Sequence, residues 1–321
     1  MSTDVLAEQE VMEQPASQVL PPKKKKYRSQ KAAMRTSKIL SYILLVILSL
    51  IWITPILWIV LSSFREEFRA SGAYIGTVTS NFFPNHFGIK AYKDLFTSDF
   101  NGLEYAFPRW IGNTMIVSVS CCIISTFLVL SVAYCMSKLR FKLRKTFMNI
   151  SMIIGLFPGF MSMIAIYFLL KSIHLTQNLF GLIVAYSAGA GLGFQVSKGF
   201  FDVIPTSLVE SAKLDGCTNF KIFMKIILPL SKPIIIYTAL MSFTGPWMDF
   251  IFAQVILGTA NPELWTVSVG LYNMIFGPQA DLNLFTRFAA GCVIVAIPIV
   301  SLFMFMQKYY VEGVTAGAVK G

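Results

Sequence analysis

The sequence predicts an all-α integral membrane protein with six transmembrane helices, and three observations carry that reading. Apolar residues make up 55% of the 321 positions and charged residues only 13%, against roughly 25% charged in soluble domains. The mean hydropathy of +0.65 applies to the whole length rather than to one short anchor, so several segments belong in lipid. Apolar runs of the length needed to cross about 30 Å of hydrocarbon, roughly 20 residues each, recur along the chain. The same figures exclude a soluble globular enzyme, a disordered chain and a disulfide scaffold. The five cysteines are scattered, without a C-x-x-C pair, and only two histidines, His86 and His174, accompany them; neither a disulfide framework nor a zinc site is expected.

The elements follow in order. Residues 1–38 are polar and then basic, with Pro21-Pro22 ahead of Lys23 to Lys26, Arg28, Lys31, Arg35 and Lys38, and read as a disordered cytoplasmic tail. A basic start before an apolar run is also a signal-peptide pattern, but the run from Ile39 to Phe64 is too long and no small-residue cleavage site follows it. Residues 39–64 are therefore a retained first span. Residues 65–109 form an extracytoplasmic loop with an interfacial helix around Tyr92 to Phe96. The core, residues 110–307, holds the other five spans: Trp110 to Met136, Phe147 to Leu170, Leu179 to Lys198, Pro233 to Leu257 and Phe285 to Gln307. Residues 308–321 are a cytoplasmic C-terminal tail.

Charge sets the orientation. Lys and Arg crowd the N-terminal tail, the loop from Ser137 to Thr146, the stretch from Lys198 to Lys232 and the C-terminus, whereas the other side holds only Arg65, Arg69, Lys90, Lys93, Arg109, Lys171 and Arg287. Both termini are expected in the cytoplasm. This asymmetry accounts for the net charge of +11, with anionic lipid as the partner of the basic segments and no nucleic acid implied.

Residues 200–233, between the fourth and fifth spans, are amphipathic and punctuated. Pro205 stops the preceding structure, and Ser207 with Glu210 matches the S-x-x-E capping box of a helix start. Asp215-Gly216 is a helix stop, because glycine takes the left-handed conformation readily, and Thr218 or Asn219 can cap a second helix. Phe220, Phe223, Met224, Ile226 and Ile227 give that helix an apolar stripe, and Pro229 is expected to end it at Leu228. The product is helix, glycine elbow, helix. Taken blind, it is also compatible with an interfacial amphipathic loop, and Glu210 with a capping role alone.

The spacing is more specific than that. Glu210-Ser211-Ala212, Gly216 after three residues and Ile226-Ile227-Leu228-Pro229 after nine more resemble the E-A-A-x3-G-x9-I-x-L-P loop of ABC importer permeases, with Ser211 replacing the first Ala. Phe107-Pro108-Arg109-Trp110, Asn113-Thr114, Leu139-Arg140-Phe141, Trp247-Met248-Asp249-Phe250 and the terminus from Gln307 to Gly321 are similar to carbohydrate importer permeases of the maltose and maltodextrin MalG type.

The resemblance implies a type I ABC importer permease fold and a coupling loop seated on cytoplasmic ATPase subunits. Glu210, Ser211, Ala212, Asp215, Gly216, Leu228 and Pro229 would be the coupling residues. It further implies that the Gly-rich tail, including Gly313, Thr315, Gly317 and Lys320, contacts the ATPases, although composition alone reads the tail as flexible. The implied partners are two ABC ATPase subunits, a second permease of the MalF type and an extracytoplasmic solute-binding protein in a bacterial cytoplasmic membrane. The cargo would be maltose, maltodextrin or a related oligosaccharide. The chain lacks the G-x-x-x-x-G-K-[ST] phosphate loop, so no cofactor is expected on it and ATP would be used by the partners; no metal site or catalytic residue is expected either.

Asp249 is an acid within an apolar span, which makes it a functional candidate, or else a capped residue beside the Gly245-Pro246 break. With Trp247 and Phe250 it is a candidate for the translocation path. Gly189, Gly191 and Gly193 are expected to permit close helix packing. Two rival functions are a stand-alone secondary carrier or channel for a small polar solute, which wants more intramembrane charge, and a membrane enzyme, which wants paired carboxylates or histidines.

Overall fold

The computed structural model describes residues 30–278 and 280–315, and the chain divides into two compact units, residues 1–54 and 55–321. The expected basic tail lies largely outside the described residues. Helix α1, Gln30–Ser63, carries Pro55 inside it, and between Met34 and Thr54 its described side chains are all exposed. An apolar helix in that state is at home in hydrocarbon, where its backbone bonds are satisfied within the segment.

In the second unit a short hairpin (β1, Glu67–Phe68; β2, Tyr74–Ile75) and helix α2, Lys90–Thr97, precede α3, Ala106–Lys138. Helix α2 sits where the interfacial helix is expected. Its loop is fixed by a buried pair, in which Arg65 Nη1 donates to Glu67 Oε1 at 2.7 Å and Nη2 to the Asn81 carbonyl at 2.6 Å. Then come α4 (Arg144–Gly155), α5 (Gly159–Ser172), α6 (Leu179–Ala190), α7 (Phe194–Val203), α8 (Thr206–Leu214), α9 (Asn219–Ile222) and α10 (Leu228–Leu230). The last four are α11 (Lys232–Met248), α12 (Ile251–Leu257), α13 (Val267–Ile275) and α14 (Phe285–Thr315).

Counting each bent pair as one span, up to six helical segments are long and apolar enough to cross a membrane. Three expected spans are not straight helices, however. The third is α4 and α5, bent by 104° at Gly155-Leu156-Phe157-Pro158-Gly159, where the proline disfavours helical geometry at Phe157 and the flanking glycines weaken the helix on both sides. The fourth bends by 42° through a 3-10 turn at Gly191–Gly193. The fifth ends at Met248, turns through an extended Asp249 (φ −88°, ψ 121°) and resumes as α12.

Helix α3 is the hub of this unit, packed against α6, α7, α11 and α13. One apolar core surrounds its N-terminal end, with Phe107, Trp110, Val117, Trp265, Val267 and Ile256; a second surrounds its C-terminal end, with Leu130, Tyr134, Phe201, Val209, Ile222 and Ile227. The glycines test how tight these contacts are. A Cβ on Gly270 of α13 would fall 2.1 Å from the Trp110 ring, whereas beside Gly189, Gly191 and Gly193 there is open space, so among the described residues no other helix of this chain packs closely on those three glycines. Gly270→Ala is predicted to destabilise the fold by about 1–3 kcal/mol through overpacking. Gly189→Ala should be neutral or stabilising by up to about 1 kcal/mol, both read from thermal unfolding in detergent.

Candidate functional site

The amphipathic loop folds as two short helices about a glycine elbow. Helix α8 begins two residues early, at Thr206 with Pro205 (φ −57°) rather than Ser207 at the cap position, and no side-chain capping bond forms, so the expected Ser207–Glu210 capping box is absent. Gly216 is left-handed at φ +77°. The Gly216 amide donates to the Lys213 carbonyl at 3.0 Å and the Cys217 amide to the Ala212 carbonyl at 2.9 Å, a Schellman closure that satisfies the last carbonyls of α8. The Thr218 hydroxyl accepts from the Lys221 amide at 3.3 Å and caps α9.

Pro229 does not end the second helix. A wide π turn over Phe223–Ile227 carries the chain into α10, Leu228 stays helical (φ −60°, ψ −47°), and the break falls at Ser231. The wider turn relieves the clash that a proline ring otherwise makes with the carbonyl a turn earlier. A 90° bend then leads into α11.

The elbow has two faces. Val209, Ala212, Ile222, Phe223 and Ile227 are buried in the core at the C-terminal end of α3. Glu210, Ser211, Asp215, Gly216 and Pro229 are exposed and Leu228 is half-buried. Leu214, one helical turn beyond Glu210, is 90% exposed at the tip, so an apolar side chain and a carboxylate project together.

Contacts that the sequence pattern did not disclose fasten the base of the elbow to α3. Lys138 Nζ donates to the Ile204 carbonyl at 2.6 Å, Ser137 Oγ to Asp202 Oδ1 at 2.6 Å and Tyr134 Oη to the Asn219 carbonyl at 3.1 Å. Lys198 also donates to Asp202, at 2.6 Å. The available signals were a Lys at the end of a span and a Lys–Asp pair four residues apart.

Beside the elbow's flanking helices lies a cavity of about 860 Å³ walled by α3, α5, α6, α7, α11 and α12. All three helix breaks open onto it: Gly159 and Phe160 from the first, Gly189 and Gly193 from the second, Pro246 and Asp249 from the third. Asp249 Oδ2 accepts from Tyr186 Oη at 2.7 Å and its Oδ1 from the Phe252 amide at 3.1 Å, so the acid both caps α12 and faces the cavity. Its sequence neighbours point elsewhere. Trp247 is buried, its carbonyl accepting from the Ser268 hydroxyl, and Phe250 stacks on Tyr272 at 4.4 Å; neither lines the cavity. In the tail, the backbone of Gly313 and Thr315 continues α14, and Gly317 and Lys320 lie outside the described residues.

Broken membrane helices converging on a polar-tipped cavity define a multi-pass membrane transport component. Residues 125–315 match the family described as binding-protein-dependent transport system inner membrane component, and the chain belongs to that family. It is 34% identical over 282 residues to the galactooligosaccharides transport system permease protein GanQ of Bacillus subtilis, covering 88% of this chain and 95% of that protein. It is 32% identical to the maltodextrin transport system permease protein MdxG of the same organism, covering 90% and 98%. A solved bacterial ABC transporter that imports the acidic polysaccharide alginate has the same fold, with a TM-score of 0.73 at 23% identity over 87% of this chain and 98% of that one.

The left-handed Gly216 yields a prediction about the elbow. Gly216→Val should cost about 1–2 kcal/mol and accelerate hydrogen exchange across residues 206–219, leaving the core around Trp110 unchanged.

Proposed function

We propose that this chain is a permease subunit of an ATP-binding-cassette importer, forms half of the pathway for a neutral oligosaccharide, and couples that pathway to ATPase subunits through its elbow. The observation that carries the reading is connectivity. The elbow is the link between α7 and α11, both of which wall the cavity, so a push on the elbow acts directly on the pathway. Its exposed tip, Leu214 with Glu210, is the kind of apolar and charged protrusion that marks a protein contact.

The cavity supports a neutral cargo. Asp249 is the one charged group among its lining residues, and hydroxyls from Ser125, Ser162, Tyr186, Thr238 and Ser242 punctuate otherwise apolar walls with Phe160 and Phe252. Sugars fit such a surface, their hydroxyls meeting polar groups and their ring faces meeting aromatic ones. An anionic sugar would be desolvated beside a carboxylate with no cation among the described lining residues to offset it. The relatives named for galactooligosaccharides and maltodextrin, both neutral, agree with this choice; a malto-oligosaccharide is the cargo we favour. The charge asymmetry of the loops supports both termini and the elbow in the cytoplasm, with a solute-binding protein and a second permease completing the importer.

The test is isolation of the tagged chain from its native membrane. The native chain should bring down an ATPase and a second permease, and Glu210→Lys should reduce ATPase recovery about tenfold, the effect of 1.4 kcal/mol on an equilibrium. In liposomes the native complex should take up a labelled neutral oligosaccharide on ATP, undiminished by excess oligouronate. A chain that emerges alone and still conducts flux would instead be a stand-alone carrier.

A further inference from the structure

Two sets of side-chain contacts hold the ends of α3, and they have the same design. Near the N-terminal end, Trp110 Nε1 donates to the Pro262 carbonyl at 2.9 Å, and Asn113 Nδ2 donates to the Glu263 and Trp265 carbonyls at 2.7 and 3.0 Å. Thr114 Oγ1 accepts from the Val267 amide at 2.8 Å. At the C-terminal end Tyr134, Ser137 and Lys138 hold Asn219, Asp202 and Ile204. Both sets sit at i, i+3 and i+4, a single helical face, and each reaches a segment distant in the chain: the first meets backbone groups of residues 262–267, and the second meets the Asp202 carboxylate and the Ile204 and Asn219 carbonyls.

We infer that α3 is a rigid link that transmits movement between the cytoplasmic elbow and the extracytoplasmic segment from Pro262 to Val267, with Lys138 and Asn113 as its positioning residues. The inference rests on the coupling role proposed for the elbow.

Three physical points carry it. First, α3 is one unbroken helix of 33 residues, about 50 Å long, and is not among the bent pairs; the spans α4–α5 and α6–α7 bend by 104° and 42° and α11 stops at Asp249, so each of those yields where α3 does not. Second, the clamp brackets both arms of the elbow, since Asp202 and Ile204 precede α8 and Asn219 follows it. A rigid displacement of the elbow must carry α3 with it or break three hydrogen bonds. Third, one bond at each end is buried and hard to break: Lys138 is 9% exposed and Thr114 fully buried, and a buried ammonium or amide left unpaired is far costlier than an exposed one; the Asn113 bonds, nearer the surface, add to the outer grip. At the other end Trp110 packs on Trp265 at 5.9 Å and directly against Gly270, so the outer segment follows the helix.

Continuity of contact becomes transmission only when a change at one end is felt at the other. The test is hydrogen exchange on the complex isolated from its native membrane, with and without MgATP plus vanadate, following the elbow peptide 206–219 and the outer peptide 258–268. In the native chain both peptides should respond to nucleotide. In Lys138→Met, and separately in Asn113→Ala, the elbow should still respond, which reports intact folding and ATPase docking, while the outer response falls at least about fivefold, the low end of a site-to-site coupling. Lys138→Arg, which keeps a donor for the Ile204 carbonyl, should restore it.

The inference is overturned if the outer peptide responds in full in both variants, or if it never responds in the native chain while the elbow does. Loss of both responses in both variants would reduce these contacts to a folding role and also overturn it. A complex that contains no ATPase would instead remove the coupling reading itself, whatever α3 does.

Discussion

The hydrocarbon interior imposes the constraint from which the rest of this structure follows: a backbone there must satisfy its own hydrogen bonds, so helices stay continuous unless a cavity or packed protein receives the freed groups. Helix α1 obeys it almost throughout, remaining helical through Pro55 at the loss of a single amide donor. The three interruptions obey it by converging on one cavity, to which they contribute Gly159, Gly189, Gly193 and Asp249. At the third the Asp249 carboxylate takes over the capping that a continuous helix would not need, by accepting the Phe252 amide. The cavity is thus built from the places where the membrane rule is locally suspended.

The elbow is the complementary device at the surface. Its inner face is part of a core and its backbone ends are closed by Gly216 and Thr218, so it is a stiff body rather than a tether. Stiffness is what the proposed coupling role needs, because a flexible loop would absorb a displacement instead of passing it to α7 and α11.

Much of this was legible in the sequence. The apolar runs marked an all-helical membrane fold, Gly216 announced the left-handed turn and Thr218 the cap. The helix breaks were not, because hydropathy cannot rank prolines: Pro55 and Pro298 lie inside helices, whereas Pro158, between two glycines, parts α4 from α5. Pro229 misled in the opposite sense, since a π turn has no signature in hydrophobic periodicity. Helix α13 was missed because it is a short apolar run buried by Trp110 rather than by lipid. The grip of Lys138 on the Ile204 carbonyl, across 66 positions, belongs to tertiary structure alone, as does the inward placement of Ala212 and the withdrawal of Trp247 and Phe250 from the cavity wall.

The central claim is that the elbow tip seats on an ATPase subunit. The most direct measurement is photo-cross-linking in native membranes from a benzoylphenylalanine placed at Leu214, which is 90% exposed, with the same probe at Phe160 on the cavity wall as control. The account predicts an ATPase adduct from position 214 and none from position 160. Adducts from position 214 with lipid alone, in membranes where an ATPase is present and the importer is active, would contradict it.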